Sequence, residues 1–102
     1  MEGIQTLLEL SPQFVLELIC QFYPWKEKQL EQYEGLLSWE YISKNEKIIW
    51  SEAIINRHSD KLDFGYWGLP MNNSMFINEN IIEKYYDKWD WMILTDNPNI
   101  PW

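Results

Sequence analysis

Asp87-Lys88-Trp89-Asp90-Trp91-Met92-Ile93-Leu94-Thr95-Asp96-Asn97-Pro98-Asn99-Ile100-Pro101-Trp102 decides the reading of this chain, because weaker copies of the same pattern stand earlier in it. Aligning the sequence with itself puts Trp25, Trp50, Ile77 and Trp102 in one column, at steps of 25, 27 and 25 residues. Repetition at a period of roughly 20 to 50 residues marks stacked supersecondary units. Each of Trp25, Trp50 and Ile77 is followed two residues later by Glu27, Glu52 or Glu79, acids that suit the positive end of a helix dipole. Ser51 and Asn78 precede two of them as good N-caps, whereas Lys26 in the first copy is not one.

The columns continue through Leu30, Ile55 and Ile82, then Tyr33, His58 and Tyr85, three residues on and so on the same helical side. These positions are expected to face the core. Next come Gly35, Asp60 and Asp87, then Leu37, Leu62 and Trp89, then Trp39, Phe64 and Trp91, an apolar pair spaced by two that straddles a turn into a second helix. Ile42 and Leu94, Ser43 and Thr95, Asn45 and Asn97, and Ile48 and Ile100 close the unit, and Asn97-Pro98 stops it because a residue before proline leaves the α region. The expected fold is all-α: short stacked helix-turn-helix repeats of about 25 residues, at 25–49, 50–76 and 77–102, in one domain with residues 1–24 as an N-terminal capping segment. Within that segment Ile4, Leu7, Leu8 and Leu10 suit a short helix. Ser11-Pro12 reads as N-cap and first helical residue of the next, whose apolar side is Phe14, Val15, Leu18, Ile19 and Phe22.

The middle copy carries two extra residues within Gly65-Tyr66-Trp67-Gly68, and Pro70 follows, so a regular helix is not expected there. The insertion reads either as a tolerated loop or as a device that pushes Tyr66 and Trp67 to the surface as binding anchors, the residue types that interface hot spots favour.

Sixteen acidic and eight basic residues among 102 give a formal charge of −8. That balance argues against direct DNA binding, which needs lysine and arginine to neutralise phosphates. It suits either a protein partner with a basic surface or solubility alone. Asp60, Asp63, Asp87 and Asp90 recur beside the aromatic columns, and Glu31, Glu34, Glu40 and Glu46 add charge around the first copy; the four aspartates, Glu34 and Glu40 with Tyr66 and Trp67 form the expected partner-binding set.

No catalytic, cofactor or metal site is expected. His58 is the only histidine and sits in a tyrosine column, so it reads as packing, and a serine or cysteine triad lacks its base. Cys20 is the only cysteine; a dyad with His58 is blunted by apolar surroundings that raise a thiol pKa, and one histidine with one cysteine falls short of zinc's usual ligand set. Four scattered glycines make no phosphate loop. The N-terminus lacks a basic, apolar leader and no apolar run reaches ~18 residues, so a cytoplasmic location without a membrane span is the expectation.

With the columns set out, Asp87-Lys88-Trp89-Asp90-Trp91 through Leu94-Thr95 and Asn97-Pro98-Asn99-Ile100-Pro101-Trp102 resembles the tandem Trp-Asp-Trp repeats found in bacterial and giant-virus proteins. The resemblance extends over 25–102 and weakens in the earlier copies, where Leu37 and Leu62 replace the first tryptophan and Gly35 replaces aspartate. It implies a helical repeat scaffold and no defined activity. In style, the small, acidic, aromatic-rich chain is also similar to phage-encoded inhibitors of defence nucleases, anti-CRISPR proteins among them. That likeness implies an inhibitor that docks on a nuclease or its guide-RNA complex. A scaffold or self-associating module is the alternative, since the last copy would leave an apolar face open at Pro101-Trp102.

Overall fold

Three six-residue helices recur at the spacing of the columns. In the computed structural model, which describes residues 2–75 and 77–100, α3 runs Glu27–Gln32, α5 Glu52–Arg57 and α6 Glu79–Lys84. Their N-caps are Lys26, Ser51 and Asn78. Ser51 Oγ accepts the Ile54 N–H at 3.2 Å and Asn78 Oδ1 the Ile81 N–H at 2.9 Å. Lysine has no acceptor, so at Lys26 only the reverse bond forms, from its N–H to Gln29 Oε1 at 3.0 Å. The helices end on Tyr33, His58 and Tyr85 with nearly the same backbone, φ/ψ −106/17, −110/19 and −112/29. All three of these side chains are buried, as are Leu30 and Ile55. In α6 the fully buried place falls to Ile81, and Ile82 is half-buried against the core.

The second segments follow the expected turn. α4 spans Trp39–Ser43 after Ser38, and α7 spans Trp91–Leu94 after Asp90, whose Oδ1 accepts the Ile93 N–H at 3.4 Å. Between them the middle segment holds only a 3-10 turn, Leu69–Met71, as two glycines and a proline require. Ser38, Asp63 and Asp90 each donate a backbone N–H to the preceding part of the chain, to Cys20 Sγ at 3.3 Å, Ser43 Oγ at 2.8 Å and Phe64 O at 3.0 Å. No strand occurs among the described residues. The chain is drawn out to 42 × 23 × 20 Å, the shape of elements added along one axis.

The tryptophan column is buried at Trp25 and Trp50, and Ile77 is buried in the same place. Trp50 Nε1 donates to Asn45 O at 2.8 Å, five residues back; the Trp25 indole N–H has no partner. Trp39 and Trp91 repeat the five-residue reach, to Glu34 O and Tyr86 O, each at 2.9 Å. Trp102, Pro101 and Phe76 lie outside the described residues, and with them the expected open face of the last copy.

Buried asparagines tie the segments together. Asn45 Nδ2 donates to Cys20 O and Tyr23 O, both at 2.8 Å. Asn72 Nδ2 donates to Ser43 O at 3.0 Å and Asn45 O at 2.8 Å. Asn97 Nδ2 donates to Pro70 O at 2.8 Å and Asn72 O at 3.0 Å. Each Oδ1 accepts a local N–H: Lys47 and Ile48 at Asn45, Ser74 at Asn72 and Asn99 at Asn97. One side chain thus satisfies its own turn and two carbonyls of an earlier segment, groups whose burial without a partner is costly.

The N-terminal segment departs from expectation in two ways. The second helix, α2, is Gln13–Phe22 with Pro12 rather than Ser11 at its N-cap, and Ser11 makes no side-chain cap. Proline's φ near −60° suits either position, which explains the slip of one residue. The stripe Phe14, Leu18 and Phe22 lies on the surface; α2 packs on α4 with Leu16, Ile19, Cys20 and Tyr23 turned inward, at i, i+3, i+4 and i+7. The first helix, α1, is Glu2–Leu10 and buries Ile4 and Leu8 while Leu7 and Leu10 face out.

Candidate functional site

The insertion closes on itself. Asp63 O accepts the Leu69 N–H at 2.7 Å, Gly65 O accepts the Gly68 N–H at 3.1 Å, and Asp63 Oδ1 accepts the Gly65 N–H at 2.8 Å. Gly68 is buried at the crossing, where a Cβ would lie 2.0 Å from Asp63 O. The closure lifts Tyr66 and Trp67 outward, 47% and 61% exposed, with their rings edge to face at a centroid distance of 4.6 Å. Two aromatic rings held on a hydrogen-bonded loop lose little conformational freedom on binding, which is the economy of an interface anchor.

The expected acids divide into three groups. Asp63 sits in the insertion, but its carboxylate serves the turn at Gly65, and the Asp90 carboxylate caps α7. Glu34 and Asp60 come together around Lys61, at 3.3 Å from Glu34 Oε1 and 3.2 Å from Asp60 Oδ2. The Lys61 ammonium holds the Asp60 carboxyl below its usual range, and the two acids raise Lys61 in turn. Glu40 and Asp87 are exposed, and their carboxylates enter no hydrogen bond or ion pair with the described residues. Besides Asp63, the acids that border the aromatic loop are Glu46, in a groove with Trp67 and Met71, and Asp96, in a groove with Tyr66 and Met71. Asp96 was not singled out by the sequence, since its place depends on α7 packing against the 3-10 turn.

His58 is fully buried and stacks on Trp39 with centroids 4.5 Å apart. Its Nδ1 lies 2.9 Å from Glu34 Oε2 without the alignment of a hydrogen bond, and Nε2 has no partner. Burial lowers its pKa, more than the Glu34 charge raises it. The native ring therefore takes up a proton less readily than an unfolded histidine, which does so near pH 6.5, so the unfolded state binds more protons as pH falls through that value. Stability present at pH 7.5 is expected to decline as pH falls through about 6.5 toward 5.5. His58→Tyr, which places there the residue that the neighbouring copies carry in this column, should flatten that decline in urea unfolding at the two pH values. A rise in wild-type stability on acidification would show instead that protonated His58 pairs with Glu34.

Burial also pushes the Cys20 thiol pKa up, against the Ser38 N–H that lowers it, and the charge of Glu17 raises it further. A protonated, enclosed thiol is a poor nucleophile. No hydrogen bond joins Cys20 to His58: the thiol accepts from Ser38, and the imidazole faces Trp39 and Glu34. Among the described residues no three His, Cys, Asp or Glu side chains converge as metal ligands, and no helix is long and apolar enough to cross a membrane. No protein-family model, curated protein or solved structure matches the chain.

Proposed function

We propose that the chain is a non-enzymatic protein-binding module, an acidic inhibitor that docks on a basic surface of a nucleic-acid-handling protein such as a CRISPR or other defence nuclease. The observation that carries this reading is the exposed Tyr66–Trp67 pair on its clamped loop. The net charge of −8 supplies long-range attraction to a basic groove, and the two rings supply the desolvated contact that charge alone does not. The body that presents them is a stack of helix-turn-helix repeats of about 25 residues, with 25–49, 50–76 and 77–102 as the copies and 1–24 as the cap. The recurrence of α3, α5 and α6 and the asparagine links between segments support that stack, which is also what the Trp-Asp-Trp resemblance implies. The working location is the cytoplasm, where such a partner is met.

The test is capture from host lysate by the immobilised chain, with bound proteins identified by mass spectrometry after low-salt and high-salt washes. A nucleic-acid-handling protein retained at low salt, released at high salt and missed by the Tyr66→Ala/Trp67→Ala double variant is the expected result. Retention that ignores salt or the double variant would contradict the reading.

Phe14, Leu18 and Phe22, all more than half exposed on α2, favour the second reading, a scaffold that assembles with itself. Capture of the chain alone, with a sedimentation coefficient that rises with concentration, is the outcome that reading requires.

A further inference from the structure

We propose that the groove beside Tyr66 is a socket for one arginine side chain of a protein partner, an inference that rests on the protein-binding reading above. The groove holds about 230 Å³, and Tyr66, Pro70, Met71, Ile93 and Asp96 form its walls with the buried Asn97. That volume lies below the roughly 300 Å³ at which small-molecule pockets begin and suits a single side chain. Pro70, Met71 and Ile93 offer an apolar path for an aliphatic stem, and Tyr66 supplies the aromatic ring of the lining. Among the described residues Asp96 is the only charged one in the lining, and its exposed carboxylate enters no hydrogen bond or ion pair with any of them. A cation entering here meets an acid with both oxygens free.

The two sides of the groove are fixed relative to each other. Asn97 Nδ2 binds Pro70 O at 2.8 Å and Asn72 O at 3.0 Å, joining the end of α7 to the 3-10 turn. The guanidinium is the cation that fits, because its plane stacks on a ring while its fork pairs with a carboxylate, and it sheds water more readily than an ammonium. The other grooves are poorer cation sites. The one beside Trp67 sets Lys44 against Glu46, and the apolar cleft at Ile49 sets Lys26 and Lys47 against Glu27, so neither offers an acid without a competing lysine.

The test is a titration of the whole chain with N-acetyl-arginine methylamide, followed by NMR at the Ile93 methyls and the Tyr66 and Asp96 amides, against the citrulline analogue as the neutral isostere. Saturable shifts with arginine and none with citrulline are expected. Asp96→Asn and Tyr66→Ala should each weaken the arginine response by at least about fivefold, while Tyr66→Phe, which keeps the ring, stays within about twofold. Asp96 is exposed and unpaired, so its variant keeps the native spectrum. Equal responses to arginine and citrulline, or an Asp96→Asn chain that binds as the wild type does, would overturn the socket. Salt-sensitive capture of a nuclease with no arginine response removes the socket and leaves the module reading standing. A specific arginine response without any such capture leaves the socket standing and removes the inhibitor reading.

Discussion

Asn72→Leu is expected to remove about 3 to 5 kcal/mol of folding stability, a large share of the roughly 5 to 15 kcal/mol that a domain of this size possesses. The asparagine is 2% exposed and donates to Ser43 O and Asn45 O while its Oδ1 accepts from Ser74 N. Leucine has similar bulk and no polar atom, so it takes the donor away from the carbonyls of Ser43 and Asn45, two buried residues, while exposed Ser74 can turn its N–H to water. Asn45 O keeps the Trp50 indole donor, so the larger part of the loss falls at Ser43 O. Asn72→Asp keeps the shape but turns two donors into acceptors that face two carbonyls. It is expected to be at least as costly at pH 7 and to recover in part on acidification, when the protonated carboxyl regains one donor. Urea unfolding of both variants at pH 7 and pH 4.5, each corrected for the wild type at the same pH, checks this. Asn99→Ala is the exposed control: its amide also reaches back, to Asn73 O at 2.6 Å and Met75 O at 3.2 Å, but water replaces it there, and less than about 1 kcal/mol should be lost.

Gly68→Ala is expected to cost about 2 to 3 kcal/mol and to displace the aromatic loop. The added Cβ would meet Asp63 O at 2.0 Å and Asp63 C and Cβ at 2.7 Å, a backbone collision that no rotamer relieves. The Asp63 carbonyl cannot withdraw without losing the Leu69 N–H at 2.7 Å, the bond that closes the insertion. The variant should therefore unfold at lower urea and lose any binding that needs Tyr66 and Trp67 together. Gly35→Ala, where a Cβ meets nothing within 4 Å, is the matching control and should be neutral or slightly stabilising. Equal stabilities for the two alanine variants would mean that the loop is not closed as described.

Where the chemistry is local, the sequence is legible. Ser51 and Asn78 announce their helices because an N-cap is a short-range bond to a residue three places on, and both caps form. The two glycines and Pro70 exclude a helix in the insertion for equally local reasons, and only a 3-10 turn forms there. Contacts made across the fold are hidden. Asn72 stands 25 residues before Asn97 and 27 after Asn45, so the two-residue slip of the middle copy separates it from its column until Leu69 is used as the reference. Asp63 and Asp90 read as free surface charge, yet both carboxylates are engaged by backbone N–H groups, because aspartate serves turns as readily as it serves solvent. In α2 two apolar stripes compete, and the choice of Leu16, Ile19, Cys20 and Tyr23 for the interior is made by α4, which is remote in sequence.

Exchange of side-chain amide protons with solvent tests the central claim, that Asn45, Asn72 and Asn97 bind each segment to the one before it, most directly. In a chain labelled with nitrogen-15 and moved into heavy water, the Nδ2 protons of these three residues are expected to persist as long as the slowest backbone amides, since each pair is released only when the segments separate. The Nδ2 protons of exposed Asn73 and Asn80 should vanish within the first spectrum. If Asn45, Asn72 and Asn97 vanish with them while the backbone stays protected, the segments are held by apolar packing alone and the asparagine links do not join them.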